Sequence, residues 1–209
     1  MEHIWLNICS VLLLFTVAIV SPGPNFIFVV NRSLTDSRRV GIYSAFGVAT
    51  GSGIFAIAGL LGLIVLISAL PYFSTLIRYL GGGYLVYLGI SMLLSCRHQQ
   101  LPVASVGNGA QLAPLKAYTT GLLTNLTNPK AWAFYLSLFS LMIENELPFW
   151  AKAFLAVSMF LISFTWYALM ALLVSDRRVQ GKFFRAQPLI KSLLGSLLIL
   201  LGGRLLLRG

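Results

Sequence analysis

Long apolar stretches separated by short polar gaps dominate the chain. Six stretches approach or exceed the roughly 20 apolar residues that a membrane-spanning helix requires. They are residues 4–30, 40–70, 72–96, 117–143, 147–174 and 189–207. Helices satisfy their backbone hydrogen bonds within each segment, and the alternating pattern of a membrane barrel is absent from the sequence. The pattern therefore predicts an all-α integral membrane protein with six transmembrane helices in a lipid bilayer.

The composition supports this interpretation. Of the 209 residues, 58% are hydrophobic and only 10% are charged, whereas soluble domains carry about 25% charged residues. The net charge of +10 is concentrated in a few polar gaps, which is typical of a topology signal and argues against nucleic acid as a partner. The basic gaps are residues 31–39, 97–116 and 175–187. They are the first, third and fifth connections, so we expect them in the cytoplasm and both termini outside.

Prolines and glycines indicate an internal duplication. Apart from Pro148, which lies beside a connection at the edge of the fifth segment, the only prolines inside apolar stretches are Pro22, Pro24 and Pro129, in the first and fourth segments. The third and sixth segments share a register that aligns Gly82 with Gly195 and Gly89 with Gly202. Three helices in each half require that the second half be inverted in the membrane. The sequence predicts two inverted three-helix repeats with broken helices 1 and 4. The first repeat covers 1–96, a cytoplasmic linker covers 97–116, and the second repeat covers 117–209.

The first candidate site is the run Ser21, Pro22, Gly23, Pro24 and Asn25. Two prolines remove backbone donors and a glycine adds freedom, so the helix should break here. The new half-helix N-terminus favours a carboxylate, and an amide side chain both donates and accepts hydrogen bonds. A substrate site is favoured over the alternative, a structural kink.

The second candidate site is formed by Asn125, Asn128, Pro129 and Lys130. A lysine near the bilayer centre costs about 2.5–3.5 kcal/mol on insertion scales, so it should face a cavity or a partner. We expect Lys130 and the freed backbone groups to contact a substrate carboxylate. The alternative is that Lys130 snorkels, or caps carbonyls of a neighbouring helix.

These motifs, together with Gly-Gly-Gly-Tyr-Leu at 81–85, resemble the lysine exporter (LysE/RhtB) superfamily, in particular its homoserine/threonine-resistance branch. The resemblance covers essentially the whole chain. It implies an inner-membrane exporter of amino acids or metabolites, driven by protons and without a cofactor. Many relatives carry Asp where this chain has Asn25, which weakens the case for a proton role at this position.

The acidic residues narrow the substrate class. They all lie near segment ends or in gaps: Glu2, Asp36, Glu144, Glu146 and Asp176. No carboxylate lies deep in a segment to pair with a cationic substrate, so we expect export of small neutral amino acids such as threonine or homoserine. Export of another metabolite or of a cationic amino acid, and a non-transporting scaffold, are the alternatives. Asp36 is the one candidate for proton coupling, against the simpler interpretation of a solvated loop charge.

Other classes of function receive little support. The sequence has no HExxH motif or buried carboxylate pair, and its two histidines lie at segment ends. We therefore expect neither an enzyme nor a metal site. Gly47 and Gly51 form a small-xxx-small pair that brings helices close together, and this pair leaves internal packing and a homodimer interface as alternatives.

Overall fold

The computed structural model describes residues 2–21, 23–60, 71–94, 112–140, 147–174 and 177–207, and the structural statements below refer to these residues. They form helices and no strand. The helices are α1 (Glu2–Val20), α2 (Pro24–Thr35), α3 (Arg38–Ala58), α4 (Pro71–Leu94), α5 (Pro114–Leu126), α6 (Pro129–Ser140), α7 (Phe149–Val174) and α8 (Arg177–Leu207).

Several helices are long and apolar enough to cross a membrane. By length and composition, three described helices qualify alone, over Arg38–Ala58, Phe149–Leu173 and Pro188–Leu207. The bent pair of α1 and α2 adds a fourth span if it is counted as one. The all-helical membrane architecture is therefore confirmed. The count of six spans stays a prediction, because residues 61–70 and 141–146 lie outside the described part.

Prolines set the helix starts. Pro24, Pro71, Pro114 and Pro129 are each the first residue of a helix, where the missing backbone N–H has no helical partner to lose. Two of these starts interrupt longer helices, because α1 ends shortly before Pro24 and α5 ends shortly before Pro129. The two segments of the first pair are bent by 54°. Both interruptions lie where the proline motifs predict them.

Close helix crossings depend on glycine. A Cβ atom on Gly82 would lie 3.1 Å from the Gly202 carbonyl oxygen, and one on Gly202 would lie 2.7 Å from the Gly82 oxygen. Gly89 and Gly195 make the same reciprocal approach between α4 and α8, at 2.5 and 2.8 Å. Small residues allow backbones to touch in this way.

The α3–α5 crossing uses the glycine pair of the second segment. A Cβ atom on Gly47 would overlap the Tyr118 carbonyl, and one on Gly51 would lie 2.9 Å from the Asn125 amide nitrogen. The internal-packing interpretation of this pair is therefore confirmed, and the pair no longer argues for a homodimer.

Two apolar cores flank the first interruption. Ile8 and Phe15 of α1 belong to a large buried cluster that also includes residues of α3, α4, α6, α7 and α8. Phe26 and Val29 of α2 belong to a second cluster with α3 and α7. The interruption between α1 and α2 therefore lies where the chain passes from one core to the other.

Helix ends differ from the hydropathy boundaries. Helix α2 continues to Thr35 instead of ending at residue 30, and α5 begins at Pro114 instead of 117. The predicted gap at 175–187 was also wrong in extent, because α8 begins at Arg177 and contains Pro188. Hydropathy marks where a chain leaves the hydrocarbon layer, whereas a helix continues into polar surroundings as long as its backbone bonds form. Pro22, residues 97–111 of the linker, Glu144, Glu146 and Asp176 lie outside the described residues.

Candidate functional site

The two helix interruptions meet at a cluster of three asparagines. Asn25 is the second residue of α2, and its Nδ2 donates to Asn125 Oδ1 at 3.0 Å. Asn128, between α5 and α6, donates from Nδ2 to Asn25 Oδ1 at 3.2 Å. All three side chains are buried. Amide side chains suit these positions because each one donates and accepts hydrogen bonds at the same time. The two interruptions are therefore connected by hydrogen bonds without a buried charge.

Asn125 also ties the cluster to α3. Its Nδ2 donates to the Val48 carbonyl at 2.6 Å and to Ser52 Oγ at 3.1 Å. Ser52 in turn shares a 3.1 Å hydrogen bond with Ser163 of α7. The network therefore joins α2, α3, α5 and α7 through buried polar groups.

Lys130 links the second interruption to the first. The Asn128 Oδ1 accepts from the Lys130 backbone N–H at 3.0 Å and so caps the start of α6. The side chain then crosses to the first interruption, where Nζ donates to Ser21 Oγ at 3.0 Å. A Cβ atom on Gly23 would lie 3.3 Å from Nζ of Lys130, so only glycine at this position leaves room for the amine without a close contact.

The surroundings of Lys130 favour an anion. Helix α2 begins at Pro24 without a side-chain cap, because its N-cap residue is Gly23. Helix N-termini carry partial positive charge and bind carboxylates and phosphates. A lysine ammonium and a half-helix N-terminus therefore lie on the same side of the first interruption.

Two cavities lie next to Lys130 and the first interruption. The smaller, of about 50 Å³, is lined by the asparagine cluster together with Ser52, Tyr135 and Tyr167. It holds a few water molecules at most. The larger, of about 530 Å³, lies within the range of roughly 300–1,000 Å³ that is usual for small-molecule sites. Only the larger cavity accommodates an amino acid in this conformation.

Every predicted site residue that the structure describes lines at least one of these cavities. Ser21, Gly23 and Lys130 line both. Asn25, Asn125 and Asn128 line the smaller cavity, whereas Pro24 and Pro129 line the larger one. The geometry brings the two motifs together, and Pro22 lies outside the described residues.

Three further residues were missed at the level of sequence. Lys191 of α8 and Tyr84 of α4 line the larger cavity, and the Tyr84 hydroxyl donates to the Lys130 carbonyl at 3.2 Å. Ser52 joins the asparagine network from α3. For Lys191 a signal existed, because a lysine just inside an apolar segment raises the same question as Lys130. Ser52 is an ordinary residue in an apolar helix and carries no such signal, whereas Tyr84 belongs to the Gly-Gly-Gly-Tyr-Leu motif of the resemblance but was not assigned to the site.

The described linings of the two cavities combine apolar side chains with serines, asparagines, tyrosines and lysines. They contain no Asp, Glu, His or Cys, and no metal-binding group of these residues occurs in the described part of the chain.

Asp36 lies at the opposite end of α2 from Pro24, about 18 Å away along the helix. There it pairs with Arg32 at 3.2 Å and accepts from the Leu112 backbone N–H at 3.2 Å. The position of Asp36 is that of a structural anchor at the end of α2.

Comparison with known proteins identifies relatives over most of the chain. The sequence model of the LysE type translocator family matches residues 16–209. An uncharacterized membrane protein of Escherichia coli (strain K12) is 31% identical over 94% of this chain and 87% of its own. The threonine efflux protein of Salmonella typhi is 29% identical over 90% of this chain and 91% of its own.

A third relative carries a different substrate in its name. The leucine efflux protein of Salmonella choleraesuis (strain SC-B67) is 33% identical over 72% of this chain and 71% of its own. No solved structure matches the chain.

Proposed function

This chain belongs to the LysE type translocator family, whose members are transporters and not enzymes, and on that premise we propose that it exports small neutral amino acids, threonine-like or homoserine-like, across the inner membrane. The observation that carries the proposal is the position of Lys130. Its ammonium extends from one helix interruption to Ser21 of the other, in the wall of a cavity of about 530 Å³.

The substrate carboxylate is assigned to Lys130. When the carboxylate enters the larger cavity, it takes the place of Ser21 Oγ as the acceptor of the Nζ donor, and the hydroxyl of Ser21 then donates to the carboxylate. The half-helix N-terminus at Pro24 adds partial positive charge on the same side. The prolines Pro24 and Pro129 support this arrangement because they fix the two half-helix starts.

The lining of the larger cavity indicates which class of amino acid is exported. The described lining offers no carboxylate to a cationic side chain, which supports a neutral amino acid over lysine or arginine. Relatives named for threonine and leucine efflux support the same class. We assign the polar groups of the substrate to the asparagine cluster, Asn25, Asn125 and Asn128. These contacts form in a second conformation of the transporter, in which the smaller cavity widens to hold the substrate.

Transport proceeds in this proposal by alternating access. The two repeats, 1–96 and 117–209, rock against each other while protons enter in exchange for substrate. The reciprocal glycine contacts between α4 and α8 support an inverted repeat. Gly82 aligns in sequence with Gly195, and Gly89 with Gly202, whereas in the crossing Gly82 contacts Gly202 and Gly89 contacts Gly195. This is the pattern expected when two equivalent helices cross about a twofold axis. The tightly packed crossing of α4 and α8 acts as the axis of this rocking motion. The hydrogen bonds of the three asparagines between the two interruptions break and reform during each transport cycle. In this proposal the basic gaps lie in the cytoplasm and both termini lie outside, as the distribution of basic residues predicts.

The experiment is export of labelled threonine from cells that express the protein. Wild type, Lys130→Ala and Lys152→Ala are compared at equal membrane abundance, with empty vector as the baseline. Lys152 is the matched control because it is a half-buried lysine of α7 that lines neither cavity. We expect export by wild type and Lys152→Ala and its loss in Lys130→Ala. Vector-level export by wild type, over a panel of neutral amino acids, would remove the amino-acid assignment.

A further inference from the structure

One apolar side chain lies at the boundary between the two cavities. Four described residues line both cavities: Ser21, Gly23, Leu88 and Lys130. Ser21 and Lys130 close the polar side of the boundary, because the Lys130 Nζ donates to Ser21 Oγ at 3.0 Å. Gly23 has no side chain. Leu88 therefore forms the apolar side of the boundary, and it is only 4% exposed.

The backbone that carries Leu88 is attached to two other helices. One turn before Leu88, the Tyr84 hydroxyl donates to the Lys130 carbonyl oxygen at 3.2 Å and so connects α4 to α6. The residue after it, Gly89, makes the close backbone approach to Gly195 of α8. Because α4 is held on both sides, it does not easily move away when a larger group arrives at Leu88.

Leu88 belongs to the face of α4 that lines the larger cavity. Tyr84, Tyr87, Ser91 and Met92 line the same cavity, at the spacing of residues that share one face of a helix. Of these five residues, Leu88 is the one that also lines the smaller cavity. A substrate whose carboxylate is held at Lys130 in the larger cavity therefore reaches the smaller cavity past Leu88.

The smaller cavity has an apolar end next to Leu88. Phe15 of α1 and Phe134 of α6 are both buried and line this end, with their ring centroids 6.4 Å apart. The asparagine cluster lines the same cavity and suits the polar groups of a substrate. Because the cavity measures only about 50 Å³, the volume of the surrounding side chains limits the substrate side chain that fits.

We propose that Leu88 determines substrate size, because it limits the side chain of the amino acid that passes from one cavity to the other. The inference rests on the proposed function, since it takes Lys130 as the carboxylate site and the asparagine cluster as the second contact of the substrate. A shorter side chain at this position admits larger neutral amino acids such as leucine, and a bulkier one excludes them. Close-packed interiors do not absorb additional methylene groups, and one methylene in an apolar pocket changes specificity about tenfold or more.

The test compares two substrates in the same vesicles. Purified protein is reconstituted in vesicles loaded with unlabelled threonine and leucine, and uptake of the two amino acids, each with a different label, is followed together. Both substrates meet the same protein molecules, so a loss of folded protein lowers both rates and leaves their ratio unchanged. Leu88→Ala should raise the leucine-to-threonine ratio about tenfold above wild type, and Leu88→Phe should lower it by about as much.

Leu85→Ala is the matched control. Leu85 lies three residues before Leu88 on α4, is 1% exposed and lines neither cavity. Its truncation removes the same atoms from the same helix, so it reproduces the loss of packing without opening the boundary. The ratio in Leu85→Ala should equal that of wild type. A shift as large as that of Leu88→Ala would overturn the inference, because a general loosening of α4 would then explain both.

The outcomes separate this inference from the proposed function. If wild type exchanges neither threonine nor leucine, the proposed function fails together with the inference. If wild type exchanges them and the ratio is the same in Leu88→Ala and Leu88→Phe, the inference alone is overturned. If Leu88→Ala does not fold, Leu88→Val and Leu88→Phe decide, because the ratio must move in opposite directions in these two variants.

Discussion

A methyl group placed at Gly89 tests the crossing of α4 and α8. The added Cβ would lie 2.5 Å from the carbonyl oxygen of Gly195 and 3.0 Å from the backbone nitrogen of Ile199. The contact with Gly195 is about 0.9 Å shorter than an ordinary van der Waals contact. Both atoms belong to the backbone of α8, so no side-chain rotation relieves the overlap and the helices must move apart.

The expected magnitude follows from two opposing effects. Overpacking of a close contact costs about 1–3 kcal/mol, whereas alanine is favoured over glycine inside a helix by up to about 1 kcal/mol. Gly83→Ala isolates the second effect, because Gly83 is the residue of α4 next to Gly82 and no described atom lies within 4 Å of its added Cβ. The two variants should therefore differ by about 1–3 kcal/mol.

The assay is thermal unfolding of the purified protein in detergent. For a chain of this length 1 kcal/mol corresponds to about 2–4 °C, so Gly89→Ala should melt roughly 2–12 °C below Gly83→Ala. Gly83→Ala should melt at or above wild type. Equal melting temperatures for the two variants would refute the close crossing and, with it, the support that the crossing gives to an inverted repeat.

Three further predictions concern the site and its surroundings. Asn125→Ala leaves several buried partners without their hydrogen bonds and should lower stability by about 2–4 kcal/mol in the same thermal assay; a wild-type melting temperature would contradict the network. Gly23→Ala adds a Cβ 3.3 Å from the Lys130 amine in an extended backbone that any residue adopts, so threonine export should fall about tenfold at normal abundance. Gly53→Ala, whose Cβ makes only ordinary contacts, is the control, and an equal loss there would contradict the reason given. Asp36→Asn should keep the wild-type dependence of export on external pH, because Asp36 serves as an anchor at the end of α2; an altered dependence would make it the coupling residue.

Much of the site could be predicted because its residues break local rules. Prolines inside an apolar stretch favour a helix interruption because they remove backbone donors, so the interruptions before Pro24 and Pro129 could be predicted from backbone chemistry, although α8 continues through Pro188. Lys130 was conspicuous because a buried cation requires a cavity or a partner. Asn25 and Asn125, 100 residues apart, were both expected in the site because each borders an interruption.

The remaining features depend on tertiary packing. Lys191 and Lys130 share a cavity only because α8 packs against α4 and α4 packs against α6, which no local pattern encodes. Ser52 joins the network because Gly51 lets Asn125 approach α3 closely. The helix ends at Thr35 and Arg177 were missed because hydropathy reports on the surrounding solvent and not on the backbone.

The central claim is that Lys130 binds the carboxylate of an exported amino acid, and counterflow in proteoliposomes tests it most directly. Purified wild type, Lys130→Met and Lys152→Met are reconstituted in vesicles loaded with unlabelled threonine, and uptake of labelled threonine is followed with and without an imposed proton gradient. The account predicts saturable counterflow for wild type and Lys152→Met, and none for Lys130→Met protein that melts normally. Undiminished counterflow by Lys130→Met would contradict it.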